Sequence, residues 1–308
     1  MPSHKHTPVL VKEVLSHLPD EAKVVVDGTV GYGGHAEAIL TQNKNIKLIG
    51  IDQDEEALND TRERLRRFQD RFILQHGRFS DLKRLLASAD IGKVDAIILD
   101  LGISSGQIDV PERGFSFLRN GPLDMRMDKR GGMDAEYIIN HYSVSELTKI
   151  IREFGEERFA RRIAEGIVTA RAEKKIETTE QLRDLINNLG PVKAYYAKRK
   201  INPATKTFQA IRIAVNDELG ELQKIMPQAL KLLNKKGRII IISFHSLEDR
   251  IVKQFLKKHS RVGLDALGRV VAQPQLKLVV RGLISPKWEE VAANPRARSA
   301  KMRVAEKV

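Results

Sequence analysis

The chain has no cysteine among its 308 residues. That absence excludes thiolate zinc sites, disulfides and cysteine-ligated iron–sulfur clusters. It also excludes covalent attack by a thiolate, the usual way to activate ring carbon C5 of a pyrimidine. A group transferred to a base by this chain has to go to an atom that is already nucleophilic. Long apolar runs are missing as well, and the start, Met1-Pro-Ser-His-Lys-His6, lacks the apolar stretch of a secretory signal. The expectation is a cytoplasmic protein with no membrane partner. Neither an internal repeat nor a low-complexity tract interrupts the sequence, and no metal is expected, because no cluster of ligand-type residues stands at ligand spacing.

What is abundant is positive charge. The formal net charge is +13, and Arg250–Val308 alone carries 14 Lys and Arg against four Asp and Glu, a net charge of +10. A field of that size favours phosphate-bearing partners through counterion release and steering, although charge by itself serves solubility equally well.

Strand-like apolar runs alternate with helical patterns from Lys23 onward. Lys23–Asp27, Lys47–Asp52, Arg71–Gln75 and Val94–Asp100 read as strands, with helices expected over His35–Thr41 and Asp54–Phe68. Such alternation predicts a doubly wound, Rossmann-like parallel sheet, and strands this continuously apolar expect cover on both faces. From Val110 to Ile201 strands give way to charged helical segments, among them Ser145–Ala172 and Thr178–Leu189, the latter opening on a capping threonine. A helix resumes at Thr207–Val215, then a buried strand at Gly237–Ser243, then weaker strands at Leu276–Val280 and Ala300–Ala305. The pattern predicts one α/β domain, residues 1–109 and 202–308, interrupted by a helical insert at 110–201.

The sharpest local feature is Asp27-Gly-Thr-Val-Gly31-Tyr-Gly33-Gly34-His35, a strand running into a glycine turn with a helix directly after it. Glycines let backbone approach a ligand closely and adopt positive φ. Asp52, 25 residues after Asp27 at the tip of the second strand, is placed to accept both ribose hydroxyls of an adenosine. A dinucleotide would want Gly-x-Gly-x-x-Gly tight against the strand, and here the match is loose. S-adenosylmethionine has no phosphate and carries a sulfonium cation, so Asp27 beside the loop suits it better. Phe79, after the third strand, either lies on the adenine or belongs to the core, and Asp81 either accepts from the adenine amine or caps the next helix.

Asp100 ends the fourth strand, at the carboxyl edge where chemistry sits in open α/β sheets. An exocyclic base amine is a poor nucleophile because its lone pair is delocalised into the ring. A carboxylate aimed at its protons would favour the pyramidal nitrogen and stabilise developing charge. The same carboxylate could instead orient the cofactor alone. After the fifth strand comes Ser243-Phe-His245-Ser246-Leu-Glu248-Asp249, where His245 either meets substrate or merely precedes a helix capped by Ser246. A dinucleotide-dependent oxidoreductase, a DNA N-methyltransferase and a non-catalytic RNA-binding factor are the competing readings.

Several segments together resemble a known family: His6–Leu10, Asp27–His35, Asp100–Ser105, Arg113–Phe117 with Gly121–Asp128, Thr207–Glu218, Ser243–Arg250 and Asn294–Ser299. They are similar to the bacterial small-subunit (16S) ribosomal RNA (cytosine-N4)-methyltransferases, the MraW or RsmH family, from the N-terminus almost to the C-terminus. The resemblance implies a class I methyltransferase fold using S-adenosylmethionine to methylate N4 of a cytidine in the decoding region. It implies cofactor contacts at Gly33, Gly34, His35, Asp52, Phe79, Asp100 and Gln107, with Asp100 as the catalytic candidate, and leaves Asp81 without a role. It also implies that the helical insert recognises substrate, either small-subunit ribosomal RNA or the small ribosomal subunit. Monomer and homodimer are equally open. Gly106 stands where the family usually has proline, and Asn202 where histidine is expected.

Overall fold

The computed structural model describes residues 8–199, 201–265 and 267–308, so His6 and Thr7 of the N-terminal motif lie outside it. The chain forms two compact units, one made of Met1–Ser104 with Leu219–Val308 and the other of Ser105–Glu218.

In the first unit seven strands among the described residues form one sheet. In chain order they are β1 Val24–Asp27, β2 Lys47–Asp52, β3 Phe72–His76, β4 Val94–Asp100, β5 Leu233–Ser243, β6 Leu276–Leu278 and β7 Lys301–Lys307. Their spatial order is β3-β2-β1-β4-β5-β7-β6. Neighbours from β3 to β5 are parallel, whereas β7 runs antiparallel to both β5 and β6. Strand order therefore reverses between β1 and β4, which opens a crevice at their carboxyl ends. This is the class I, Rossmann-like architecture.

The continuous apolar runs are explained by burial on two faces. Val26, Ile49, Ile51, Ile97, Leu99, Ile239 and Ile241 belong to one core with Leu82, Leu86, Ile225 and Val252. The alternate residues Val25, Leu48, Ala96, Ile98, Ile240 and Ile242 belong to another with Val14, Ile39, Leu58 and Leu65. Period-two geometry sends neighbours to opposite faces, so a strand covered twice must be apolar throughout. β5 starts at Leu233, earlier than the expected Gly237, and a bulge opposite Val94 and Ala96 absorbs the extra residues. No helix among the described residues is long and apolar enough to cross a membrane.

The second unit is helical. The expected helix over Ser145–Ala172 is two helices, Val144–Gly155 and Ala160–Glu173, separated at Glu156 with φ 48°. Gly155 makes the break useful. A Cβ there would lie 2.6 Å from the Lys206 carbonyl, so only glycine lets the helix Thr205–Asn216 come this close. That helix is tied further by Asn216, whose amide nitrogen donates to the Met125 carbonyl at 2.8 Å and whose Oδ1 accepts from the Met127 N–H at 2.9 Å. The helical unit, Ser105–Glu218, takes in the helices Ser105–Asp109 and Thr205–Asn216. Thr178 does cap Thr179–Asn188, in a reciprocal box with Gln181.

Candidate active site at the carboxyl ends of β1, β2 and β4

β1 ends in Asp27, and the loop beyond it is held by its neighbours on every side. The Gly28 N–H donates to the Ile98 carbonyl and the Val30 N–H to the Ile51 carbonyl, at 2.9 and 3.0 Å. The Thr61 hydroxyl donates to the Gly31 carbonyl at 2.6 Å and Arg64 to the Tyr32 carbonyl at 2.9 Å. Gly33 has φ 76°, a left-handed conformation that starts the helix Gly34–Gln42. A Cβ at Gly34 would meet Pro8 at 2.8 Å, so packing demands glycine there.

Asp52 ends β2 and is bound to this loop. Its Oδ2 accepts from the Gly31 N–H at 2.8 Å and its Oδ1 from the Asp54 N–H at 2.9 Å. Burial pushes its carboxyl up to about 6, opposed by those hydrogen bonds. Each oxygen keeps a lone pair for a further donor.

Asp100 ends β4. Its N–H donates to the Thr29 hydroxyl at 2.7 Å, so the threonine within the glycine loop fastens β4 to the end of β1. Among the described residues the buried Asp100 Oδ1 has no hydrogen-bond partner, and neither has the Asp27 Oδ2. Asp27 is only 1% exposed, and burial pushes it up to about 7, with the nearby Asp52 charge acting in the same direction. Asp100 is pushed well above the usual carboxylate range by burial, then by Asp27 and Glu248. An unpartnered buried carboxylate oxygen is costly, and two of them at one crevice form an acceptor site short of donors and positive charge.

His35 completes the group. Its Nε2 donates to the Val9 carbonyl at 2.9 Å, which leaves Nδ1 facing the Asp100 Oδ2 at 3.7 Å. Phe79 lies half-buried on the core beside the loop, its Cβ 3.4 Å from where a Gly28 Cβ would be. Asp81 occupies the capping position of Leu82–Ser88, yet its side chain makes no capping bond and pairs with Arg84 at 2.8 Å. The expectation for Ser246 also changes: His245 is the cap, its Nδ1 accepting from the Glu248 N–H at 3.4 Å while Glu248 accepts from the Phe244 N–H at 2.8 Å. The fold thus brings together Gly33, Gly34, His35, Asp52, Phe79 and Asp100. Gln107 is buried in the short helix Ser105–Asp109 of the other unit. Thr29 as a strand-to-strand tie was missed in sequence, where it is only one residue of the glycine turn.

The strained state of Asp27 has a measurable signature. Its folded pKa, about 7, is raised above the ordinary 3.8, so its contribution to stability is present at acid pH and lost as pH rises through about 7. The Asp27→Asn chain should gain thermal stability relative to its parent between pH 5 and pH 8, measured by calorimetric melting. A parent-to-variant gap independent of pH would contradict the perturbed carboxyl.

Residues 3–308 match the MraW methylase family. The chain belongs to that family. Curated relatives agree over their full lengths: the chain is 46% identical over 305 residues to "Ribosomal RNA small subunit methyltransferase H" of Syntrophotalea carbinolica, covering 97% of this chain and 96% of the relative. It is 47% identical over 317 residues to the protein of the same name from Citrifermentans bemidjiense, covering all of both.

Proposed function

We propose that this chain transfers a methyl group from S-adenosylmethionine to N4 of a cytidine in the decoding region of small-subunit ribosomal RNA. The observation that carries the reading is the pair of buried carboxylate oxygens without partners, Asp27 Oδ2 and Asp100 Oδ1, at the crevice where strand order reverses. Membership of a methylase family and near-full-length similarity to chains named for small-subunit ribosomal RNA methylation support it.

A cationic donor fits this chemistry, since it brings positive charge and N–H donors to two carboxylate oxygens that have no hydrogen-bond partner among the described residues. When bound, the donor supplies an electrophilic methyl carbon. Asp52 would accept the ribose hydroxyls, Phe79 would lie against the adenine, and the backbone from Gly33 to His35, with Asp27 nearby, would hold the amino-acid end. The helical unit, which carries Gln107, serves substrate recognition. Asp100 accepts from the N4 amine and disfavours delocalisation of its lone pair into the ring, and the proton that N4 loses on methylation passes to water or a nearby acceptor. His35, fixed by Val9 with Nδ1 toward Asp100, keeps that carboxylate oriented. N4 needs only such an acceptor, whereas C5 would need a thiolate that the chain does not have.

The test is mass spectrometry of small-subunit ribosomal RNA from cells with and without the protein. N4-methylcytidine should depend on the protein, and a C5-methyl product would overturn the mechanism. A second measurement addresses the ribose contact. Asp52→Ala should weaken donor binding by about 1.5–3 kcal/mol, the scale of a charge-assisted hydrogen bond plus the loosened Gly31 tie. Calorimetry on the folded variant checks it, and unchanged affinity would remove Asp52 from the donor site.

A further inference from the structure

Trp288 is the only tryptophan in the chain, and it stands 79% exposed. Single exposed apolar side chains are ordinary on protein surfaces, so its position matters more than its exposure. The topology fixes that position. β7 is antiparallel to β5, with Lys301 opposite Ser243. The start of β7 therefore lies at the edge where β1, β2 and β4 end in Asp27, Asp52 and Asp100. Residues 285–301 leave and rejoin the sheet at that edge. Their base is closed by a bridge in which the Ile284 and Met302 N–H groups donate to each other's carbonyls at 2.9 and 2.8 Å.

Trp288 opens the helix Trp288–Ala293 of this excursion. Two residues later the Glu290 Oε1 accepts from the Leu10 N–H at 2.7 Å. The adjacent Val9 carbonyl accepts from His35, whose other ring nitrogen faces Asp100. Three contacts in series thus join the tryptophan-bearing helix to the buried carboxylate. The excursion is basic: Lys287, Arg296 and Arg298 are exposed on it, against one exposed acid, Glu289.

We infer that Trp288 is a stacking platform for an unpaired base of the RNA, beside the nucleotide that enters the site, with Lys287 and Arg298 taking neighbouring phosphates. The inference rests on the RNA reading above. N4 lies on the Watson–Crick edge, so a cytidine offered to Asp100 is unpaired, and the strand flanking it presents free base faces. An indole with cationic neighbours is the pairing that single strands use, because every base has a π face and every linkage a charge. A protein partner would call for a contiguous apolar patch, and the sequence neighbours of Trp288 are charged instead.

Since the chain has one tryptophan, its emission reports on this position alone. The full-length protein is titrated with a twelve-nucleotide single-stranded RNA containing one central cytidine, and separately with the same RNA as a duplex. The single strand should quench and shift the emission, while the duplex should do so far less. Trp288→Ala should weaken single-strand affinity about five- to a hundred-fold, Trp288→Phe should retain most of it, and S-adenosylmethionine affinity should be the same in all three. Single-strand binding that leaves the emission unchanged, or equal affinity in the alanine variant, overturns the inference. Methyl transfer to small ribosomal subunits from cells lacking the protein is followed in parallel. If wild-type protein transfers methyl there but Trp288 does not respond, only the inference fails. If it neither binds RNA nor transfers methyl, the RNA reading fails and takes the inference with it.

Discussion

Asp100→Asn should lower the rate of methyl transfer at saturating donor by about ten-fold to a thousand-fold, the scale for losing one preorganised electrostatic group. The substitution is close to isosteric, and the backbone at this position is held independently of the side chain, because the Asp100 N–H is bonded to the Thr29 hydroxyl. The fold and the glycine loop should therefore survive. What disappears is a charge, and what arrives is an amide that donates where only an acceptor is wanted. The direction of the perturbed ionisation adds a second readout. Burial raises the Asp100 carboxyl well above its usual range, so a rate that needs the carboxylate keeps rising with pH beyond the range where an ordinary carboxyl has already ionised, and the asparagine variant loses that rise. Single-turnover rates at several pH values measure both. A variant with unimpaired rate but weakened donor affinity would reduce Asp100 to orienting the donor.

The second large effect concerns salt. The segment from Arg250 to Val308 carries a net charge of +10, and Lys257, Lys258, Arg261, Arg281, Lys287 and Arg298 on it are exposed. If about six such groups meet phosphates, RNA affinity should fall roughly a thousand-fold between 50 and 200 mM salt. Donor affinity should barely change over the same range, because that contact is buried and releases few counterions. Filter binding for RNA and calorimetry for the donor give the two slopes. An RNA slope as flat as the donor slope would end the phosphate-contact reading of the basic segment.

The α/β half of this protein was legible because its strands are buried on both faces and so are written as unbroken apolar runs. β2 and β4 have the bounds the pattern predicts, and the acids at the tips of β1, β2 and β4 follow from where those runs stop. The helical half was less legible. The break at Glu156 stands beside the close approach of another helix at Gly155, a contact between residues about fifty positions apart that local periodicity does not encode. The same holds for Thr205–Asn216, whose amphipathic pattern reveals a helix but not which unit it packs into. Within the site, residue types and order could be read, but the Thr29 tie and the His245 cap depend on side-chain direction. A hydroxyl near a strand tip has many local partners, and only the fold selects the N–H of β4.

The discontinuous α/β unit also dictates an order of events during synthesis. β4 ends at Asp100, and its partner β5 does not begin until Leu233, with the whole helical unit made in between. At about 5–20 residues per second, the nascent chain carries an unpaired β4 edge for roughly 7–27 seconds. That edge is Val94–Asp100, rich in isoleucine and leucine, the kind of strand that recruits foreign strands when left open. The helical unit, rich in local contacts, can fold within that interval. Chains that stall or are truncated before Leu233 should therefore be prone to aggregate, whereas chains released after β7 should not.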